Sequence, residues 1–126
     1  DMTDKRRPIS PHLQVYRLPI TGILSISHRI TGVLLSFALI AMIYVFASIA
    51  LGEASYLLLQ QQLSSWFGRS VYCLLVYALV FHLCHGVRHL LWDFGRGFDR
   101  HQLTLLSVYE IIASLLLTLL WLFFSF

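Results

Sequence analysis

Four residues of one apolar segment, His82, Gly86, His89 and Asp93, have a spacing that predicts a site for chemistry. At about 100° per residue, their offsets place all four within roughly 60° of one another on a helix. An imidazole inside a membrane helix is costly and therefore indicates a function. A histidine beside a glycine, facing the interior of a helix bundle, offers a nitrogen ligand and room for a flat macrocycle. The pattern thus predicts a haem site of which this chain supplies one side.

His82 is the predicted iron ligand, because it lies near the middle of the apolar segment. His89 and Arg88 lie toward its basic end and suit the anionic propionates of a haem. His85 is the main competitor for the iron, and Gly86 favours His82 by leaving space one turn away. The alternative is a set of hydrogen bonds between helices, with Arg88 and His89 reaching the membrane surface. A zinc site is not favoured, since no acidic residue lies within a turn of His82.

A second group of polar residues, Ser25, His28, Arg29 and Gly32, follows the spacing of one helical face. A hydroxyl and a guanidinium one turn apart can hold the polar head group of a quinone. Arg29 would stabilise the negative charge that develops when the ring is reduced. The alternative is an arginine that meets lipid phosphate and a serine that bonds back to its own helix. Both interpretations are compatible with the spacing.

The elements that carry these residues are predicted to be membrane helices. The chain has 126 residues, of which 58% are hydrophobic, and its mean hydropathy is +0.76. A soluble domain of this size could not bury so much apolar surface. Three windows with almost no charged residue are each long enough to cross a hydrocarbon core, which takes about 20 helical residues. The predicted transmembrane helices are about 22–51, 69–93 and 103–126.

The distribution of positive charge predicts the orientation in the membrane. Of the nine Lys and Arg residues, Arg69 alone falls on the side of the first loop. The other eight share the side of the N-terminus and the second loop, so that side is predicted to face the cytoplasm or the mitochondrial matrix. The net charge of +3 then reflects topology, and binding to nucleic acid is not favoured.

We interpret residues 1–126 as a single membrane-anchor domain. Residues 1–20 contain three prolines, which favours an extended surface segment that contacts a partner protein, with disorder as the alternative. In residues 53–68 apolar side chains recur at helical spacing, which predicts a short amphipathic helix on the outer membrane surface. Glu110 is interpreted as a neutral acid or one that reaches the inner membrane surface. Cys73 and Cys84 are about 16 Å apart along one helix and so are expected to be free.

Two long motifs resemble those of a known family. Residues 7–32, RPISPHLQVYRLPITGILSISHRITG, are similar to the N-terminal signature of the cytochrome b large anchor subunit of succinate dehydrogenase, respiratory complex II. Residues 82–95, HLCHGVRHLLWDFG, resemble the second signature of that family, H-x-x-x-G-x-R-H-x-x-x-D. The motifs occur in the expected order, and the resemblance covers essentially the whole chain. It implies an all-α membrane protein within a bundle of several subunits.

The resemblance also implies cofactors and partners. His82 matches the axial ligand of haem b, with the second ligand supplied by another small anchor subunit. Ser25 and Arg29 match residues that line the ubiquinone site, and His28 matches a histidine close to a haem propionate. Succinate would be oxidised in a flavoprotein subunit, and electrons would reach quinone through an iron–sulfur subunit. His85 departs from the family pattern.

The sequence therefore predicts the membrane anchor of a succinate:quinone oxidoreductase that has no succinate-oxidising residues of its own. The anchor of a quinol:fumarate reductase and a structural anchor without haem are the alternatives. A small ion or proton transporter that uses the histidines and Glu110 is a further class. The short lead before the first helix favours a bacterial inner membrane over a mitochondrial one.

Overall fold

The computed structural model describes residues 16–125, and four helices account for most of them. They are α1 (Ile20–Ala50), α2 (Glu53–Ser64), α3 (Trp66–Asp93) and α4 (Arg100–Ser125). Three of the four, α1, α3 and α4, are long and apolar enough to cross a membrane. The prediction of an all-helical fold with three spans is confirmed. Most of the predicted surface segment 1–20 lies outside the described residues.

The helix starts differ from the predicted ones by two or three residues, because local caps set them. Pro19 precedes α1, and its carbonyl accepts hydrogen bonds from the amides of Gly22 and Ile23 at 2.9 and 3.2 Å. The Ser65 hydroxyl accepts from the Gly68 amide at 3.0 Å and so begins α3 at Trp66. Such N-caps satisfy the free amides of a first turn. The predicted outer stretch is thus divided between α2 and the start of α3.

Helix α3 lies between α1 and α4 and packs against both. The residues that α4 buries are polar, although its other faces are rich in Leu, Ile and Phe. Small hydroxyl side chains let two membrane helices approach closely, and their hydroxyls bond back to their own helix. Apolar side chains are left for lipid and for neighbouring chains. The buried residues of α4 are Ser107, Glu110, Ser114 and Thr118.

The ends of the helices are held by tight corners and polar contacts. A Cβ atom at Gly68 would collide with the backbone of Gln62, so α2 and α3 can meet at this angle only with glycine there. Near the start of α3 and the end of α4, the Trp121 indole donates to the Tyr72 hydroxyl at 2.8 Å. The Tyr72 hydroxyl also lies 3.1 Å from Ser125 Oγ. The corner joins α2 to α3, and the polar contacts join the start of α3 to the end of α4.

Candidate functional site

A pair of stacked histidines joins α1 to α3. The rings of His28 and His82 lie 3.9 Å apart between centroids, with an angle of 16° between their planes. The His28 ring also contacts His85, at 4.5 Å between centroids. His82 is half-buried, whereas His85 is only 2% exposed. Three of the histidines singled out in the sequence therefore meet at one place in the α1–α3 interface.

Helix α1 contacts the His82 ring at two further points. Thr31 Oγ1 lies 3.2 Å from His82 Nδ1, within hydrogen-bond distance. Thr31 is itself buried, and its hydroxyl donates to the backbone carbonyl of His28 at 2.9 Å. A Cβ atom at Gly32 would lie 3.2 Å from His82 Cε1, tighter than ordinary packing. The ring is thus held flat against α1 and bonded there through one nitrogen, Nδ1.

A buried charged cluster, formed by His85, Arg88, Ser107 and Glu110, joins α3 to α4. The Glu110 carboxylate lies 2.9 Å from His85 Nδ1 and 3.0 Å from Arg88 Nε. Arg88 also donates to the Ser107 hydroxyl at 2.6 Å. The side chains of Arg88 and Glu110 are 4% and 2% exposed. Paired in this way, the two charges avoid most of the cost of isolated ions in a membrane.

The cluster changes the interpretation of two residues. Arg88 was expected to hold a propionate, and its alternative was to reach the membrane surface; the structure instead turns its guanidinium toward α4 and Glu110. Glu110 was expected to be neutral or to reach the inner surface, and the second of these is wrong, because the carboxyl group is buried against an arginine and a histidine. The Arg88 guanidinium carbon also lies 4.8 Å from the centre of the Trp92 ring. Both residues hold α3 and α4 together.

His85 is less suited than His82 to bind a group outside this chain. Its Nδ1 is engaged by Glu110, and its ring packs near Phe81 and Trp92 as well as His28. His82 lacks such enclosure and has one side of its helix turn open. A Cβ atom added at Gly86, one turn away, would have no atom within 4 Å. Of the two histidines, His82 is therefore the more accessible to a group outside this chain.

The remaining predicted residues lie toward the N-terminal end of α1 and the C-terminal end of α3. Ser25 is half-buried and Arg29 is exposed. The polar group predicted on one face of α1 is thus divided. His28 and Gly32 contact His82 of α3, whereas Arg29 is exposed. His89 lies 3.9 Å from Asp93, and both side chains are well exposed. Within residues 16–125, no group of three or more His, Cys, Asp and Glu side chains is arranged to hold a metal ion.

An all-helical chain with three apolar spans and its polar side chains turned toward one another is an integral membrane protein. Its stacked histidines lie between two of the spans, beside an open glycine turn. A family model described as the succinate dehydrogenase/fumarate reductase transmembrane subunit matches residues 3–124. The chain belongs to this family, and the resemblance of its two motifs is confirmed.

Individual relatives extend over nearly the whole chain. The succinate dehydrogenase cytochrome b556 subunit of Rickettsia felis is 36% identical over 124 residues, covering 92% of this chain and 91% of its own. The subunit of the same name from Paracoccus denitrificans is 34% identical over 126 residues, covering 100% and 97%. The mitochondrial cytochrome b560 subunit of Mus musculus is 33% identical over 127 residues, covering 90% and 69%. The similarity thus includes bacterial and mitochondrial proteins.

Proposed function

We propose that this chain is the haem b-binding membrane anchor of a succinate dehydrogenase complex, and that His82 is its ligand to the haem iron. The observation that carries the proposal is the setting of His82. It lies in the middle of a membrane span, its Nδ1 faces Thr31, and the turn beside it at Gly86 is open. The relatives named cytochrome b556 and b560 support a haem in this family.

The residues at this position fit a haem. An iron ligand of this kind needs one ring nitrogen held by the protein and the other free to coordinate. Nδ1 of His82 meets the first requirement through Thr31, which leaves Nε2 for the iron. The open turn at Gly86 gives space for a flat ring. The haem would supply a one-electron carrier close to the quinone site, and this chain would hold it from one side.

The propionates would be held by the inner ends of α1 and α3. His89 is exposed near the end of α3 and is available to an anion. His28 is next to His82 and is the second candidate. Arg88 was predicted for the same role, but it is already paired with Glu110. In this proposal Arg88 makes no direct contact with a propionate.

The quinone would bind at the inner mouth of α1. Reduction of ubiquinone to ubiquinol takes two electrons and two protons, and negative charge develops on the ring oxygens when electrons arrive first. The Ser25 hydroxyl would donate a hydrogen bond to one ring oxygen, and the exposed Arg29 guanidinium would stabilise the developing charge. The electrons would come from succinate, oxidised in a flavoprotein subunit, through an iron–sulfur subunit docked at this face. In this proposal no residue of this chain takes part in the oxidation of succinate.

The distribution of positive charge supports an orientation of the chain in its membrane. Eight of the nine Lys and Arg residues lie on the side of the N-terminus and the α3–α4 turn. That side would face the bacterial cytoplasm or the mitochondrial matrix, where the iron–sulfur subunit docks. We propose the bacterial inner membrane, with the mitochondrial inner membrane as the alternative. A second small anchor subunit would complete the haem site.

Replacement of the ligand tests the proposal. In the purified complex, His82→Ala should abolish the haem b bands of the reduced-minus-oxidised spectrum, because one axial ligand is lost. His85→Ala is the matched control, three residues away on the same helix, and should keep the bands. Loss of the bands in His85→Ala and their retention in His82→Ala would move the ligand to His85. A wild-type complex without haem would favour the structural anchor.

The anchor of a quinol:fumarate reductase remains the second candidate, because the matching family includes fumarate reductase subunits. The relatives named above are succinate dehydrogenase subunits, which favours the oxidation of succinate. The type of quinone extracted with the complex separates the two. Ubiquinone supports the proposed direction, and menaquinone supports the reverse one.

A further inference from the structure

We propose that Thr31 is a positioning residue for the haem ligand: its hydroxyl accepts a hydrogen bond from Nδ1–H of His82 and so keeps Nε2 free for iron. The inference rests on the proposed role of His82. It adds a residue of α1 that contacts the proposed iron ligand itself. The Thr31 hydroxyl contacts both His82 and a backbone carbonyl, and the His82 ring packs against Gly32.

The single proton of the Thr31 hydroxyl is already committed. It points to the backbone carbonyl of His28 at 2.9 Å, and a carbonyl can only accept. The longer contact of 3.2 Å to His82 Nδ1 is therefore one in which Thr31 Oγ1 accepts. Nδ1 must then carry the ring proton. The lone pair of a neutral imidazole in that tautomer is on Nε2, the nitrogen that faces away from Thr31.

The position of the Thr31 hydroxyl is itself restricted. A β-branched side chain in a helix has few rotamers, and threonine adopts those in which its hydroxyl bonds to a carbonyl of the preceding turn. Thr31 is 7% exposed, so water competes little for the bond to His82. The acceptor for Nδ1–H is therefore fixed in place before any ligand binds. Metal-ligating histidines generally donate their second N–H to such an acceptor.

Gly32 restricts the ring from the next position of the same helix. Since a Cβ atom there would come within 3.2 Å of His82 Cε1, the ring already packs closely on the α1 backbone. Thr31 and Gly32 together hold the imidazole from the side of α1. The hydroxyl sets the tautomer, and the glycine sets the distance between the ring and α1. Rotation of the ring about χ2 would break the bond to Thr31.

Removal of the hydroxyl should change the haem without removing it. The bond from Nδ1–H increases the basicity of the ligand, which favours ferric over ferrous iron. In the purified complex, Thr31→Val should therefore raise the midpoint potential of haem b and shift the g-values of its ferric form. Haem affinity should fall by about 10-fold to 100-fold, the range seen when outer-shell partners of metal ligands are lost. Thr31→Ser retains a hydroxyl and should restore all three properties.

The matched control is Thr118→Val on α4. Thr118 is also buried, and its hydroxyl also donates to a carbonyl of its own helix, that of Ser114, at 2.7 Å. It lies on another helix and contacts no histidine that the structure describes. The control variant should keep the potential, the g-values and the haem content of the wild type. Thr31→Ala provides a second variant without a hydroxyl if the valine prevents assembly of the complex.

The outcomes separate this inference from the proposed function. Unchanged potential, g-values and haem content in Thr31→Val or Thr31→Ala would overturn the role of Thr31, even where His82→Ala loses the haem. A wild-type complex that holds no haem, or a His82→Ala complex that keeps it, would overturn the proposed function and this inference with it. A shift in Thr118→Val equal to that in Thr31→Val would show a general packing effect and would also overturn the role.

Discussion

The carboxylate of Glu110 balances the charge at the interface between α3 and α4. It is 2% exposed and pairs with both Arg88 and His85. A buried ion pair adds little stability when compared with an apolar pair, but removal of one partner leaves the other uncompensated. Glu110 is therefore a residue whose loss should be costly, although no cofactor or substrate is expected to touch it.

We expect Glu110→Ala to destabilise the chain by about 3–5 kcal/mol, because the Arg88 guanidinium stays buried without a counter-ion. The loss of stability can be measured as a lower unfolding temperature of the complex in mild detergent. The double variant Arg88→Met with Glu110→Leu should recover much of the loss, since an apolar pair can replace a buried ion pair. Asp93→Asn is the control, because Asp93 is exposed. Equal stability of Glu110→Ala and the wild type would contradict the assigned role.

The sequence predicted the depth of His82 in the membrane but not the pairing of Glu110 with Arg88, and the reason is physical. The depth of a residue in a membrane follows from its position in an apolar run, so His82 could be placed at mid-membrane. The rotation of one helix against another does not follow from mean hydropathy, because most faces of these helices are apolar enough for lipid. The pairing of Glu110 with Arg88 depends on that rotation. A signal did exist: Glu110 is the one acid of the third span and Arg88 lies well inside the second, so the two are candidates to neutralise each other.

At the level of elements, the helix ends depend on local bonds that hydropathy does not contain. The early start of α3 follows from the Ser65 cap, and its close approach to α2 requires Gly68. The spans themselves could be predicted, because about 20 apolar residues without charge leave a chain few alternatives to a membrane helix. The bounds differ by two or three residues where capping decides them.

Gly68→Ala should weaken the corner between α2 and α3. The added Cβ would overlap the carbonyl of Gln62 and the Cα of Leu63, both backbone atoms that cannot move aside without shifting α2. Overpacking of this kind costs about 1–3 kcal/mol. The expected result is a lower yield of assembled complex and a lower unfolding temperature. Ser64→Ala, an exposed neighbour at the same corner, is the control and should behave like the wild type. An unaffected Gly68→Ala complex would show that the corner is not tightly packed.

The whole molecule has more apolar surface than its own helices can bury. Few residues of α1 are buried, namely Leu24, Thr31 and Ser48, while many of its Leu, Ile and Phe residues are exposed. Lipid tails can cover such a surface, but they cannot bond to a half-buried imidazole at membrane depth. The proposed haem site uses this exposed side, where His82 is half-buried and neighbouring chains have room to pack.

The second axial ligand of the proposed haem should come from another chain. The two ligands of a bis-imidazole haem bind on opposite faces of the porphyrin. His28 cannot be the second one in this arrangement, because its ring is stacked face to face on that of His82, 3.9 Å away and nearly parallel. His85 is held by Glu110. Of the three imidazoles that meet between α1 and α3, His82 is therefore the one available to iron, and the proposed six-coordinate low-spin haem requires a second ligand from outside this interface.

Expression of the chain alone should consequently give a membrane protein without the low-spin haem b spectrum. Co-expression with the second small anchor subunit should produce that spectrum, in a ratio of one haem to one pair of chains. The His82→Ala chain, expressed with the same partner, is the control and should give no spectrum, because the partner's ligand alone cannot make a six-coordinate centre. A full low-spin spectrum from the isolated chain would mean that two of its own residues ligate the iron. His28 would then have to leave its stack with His82, and the arrangement of α1 against α3 described above would have to change.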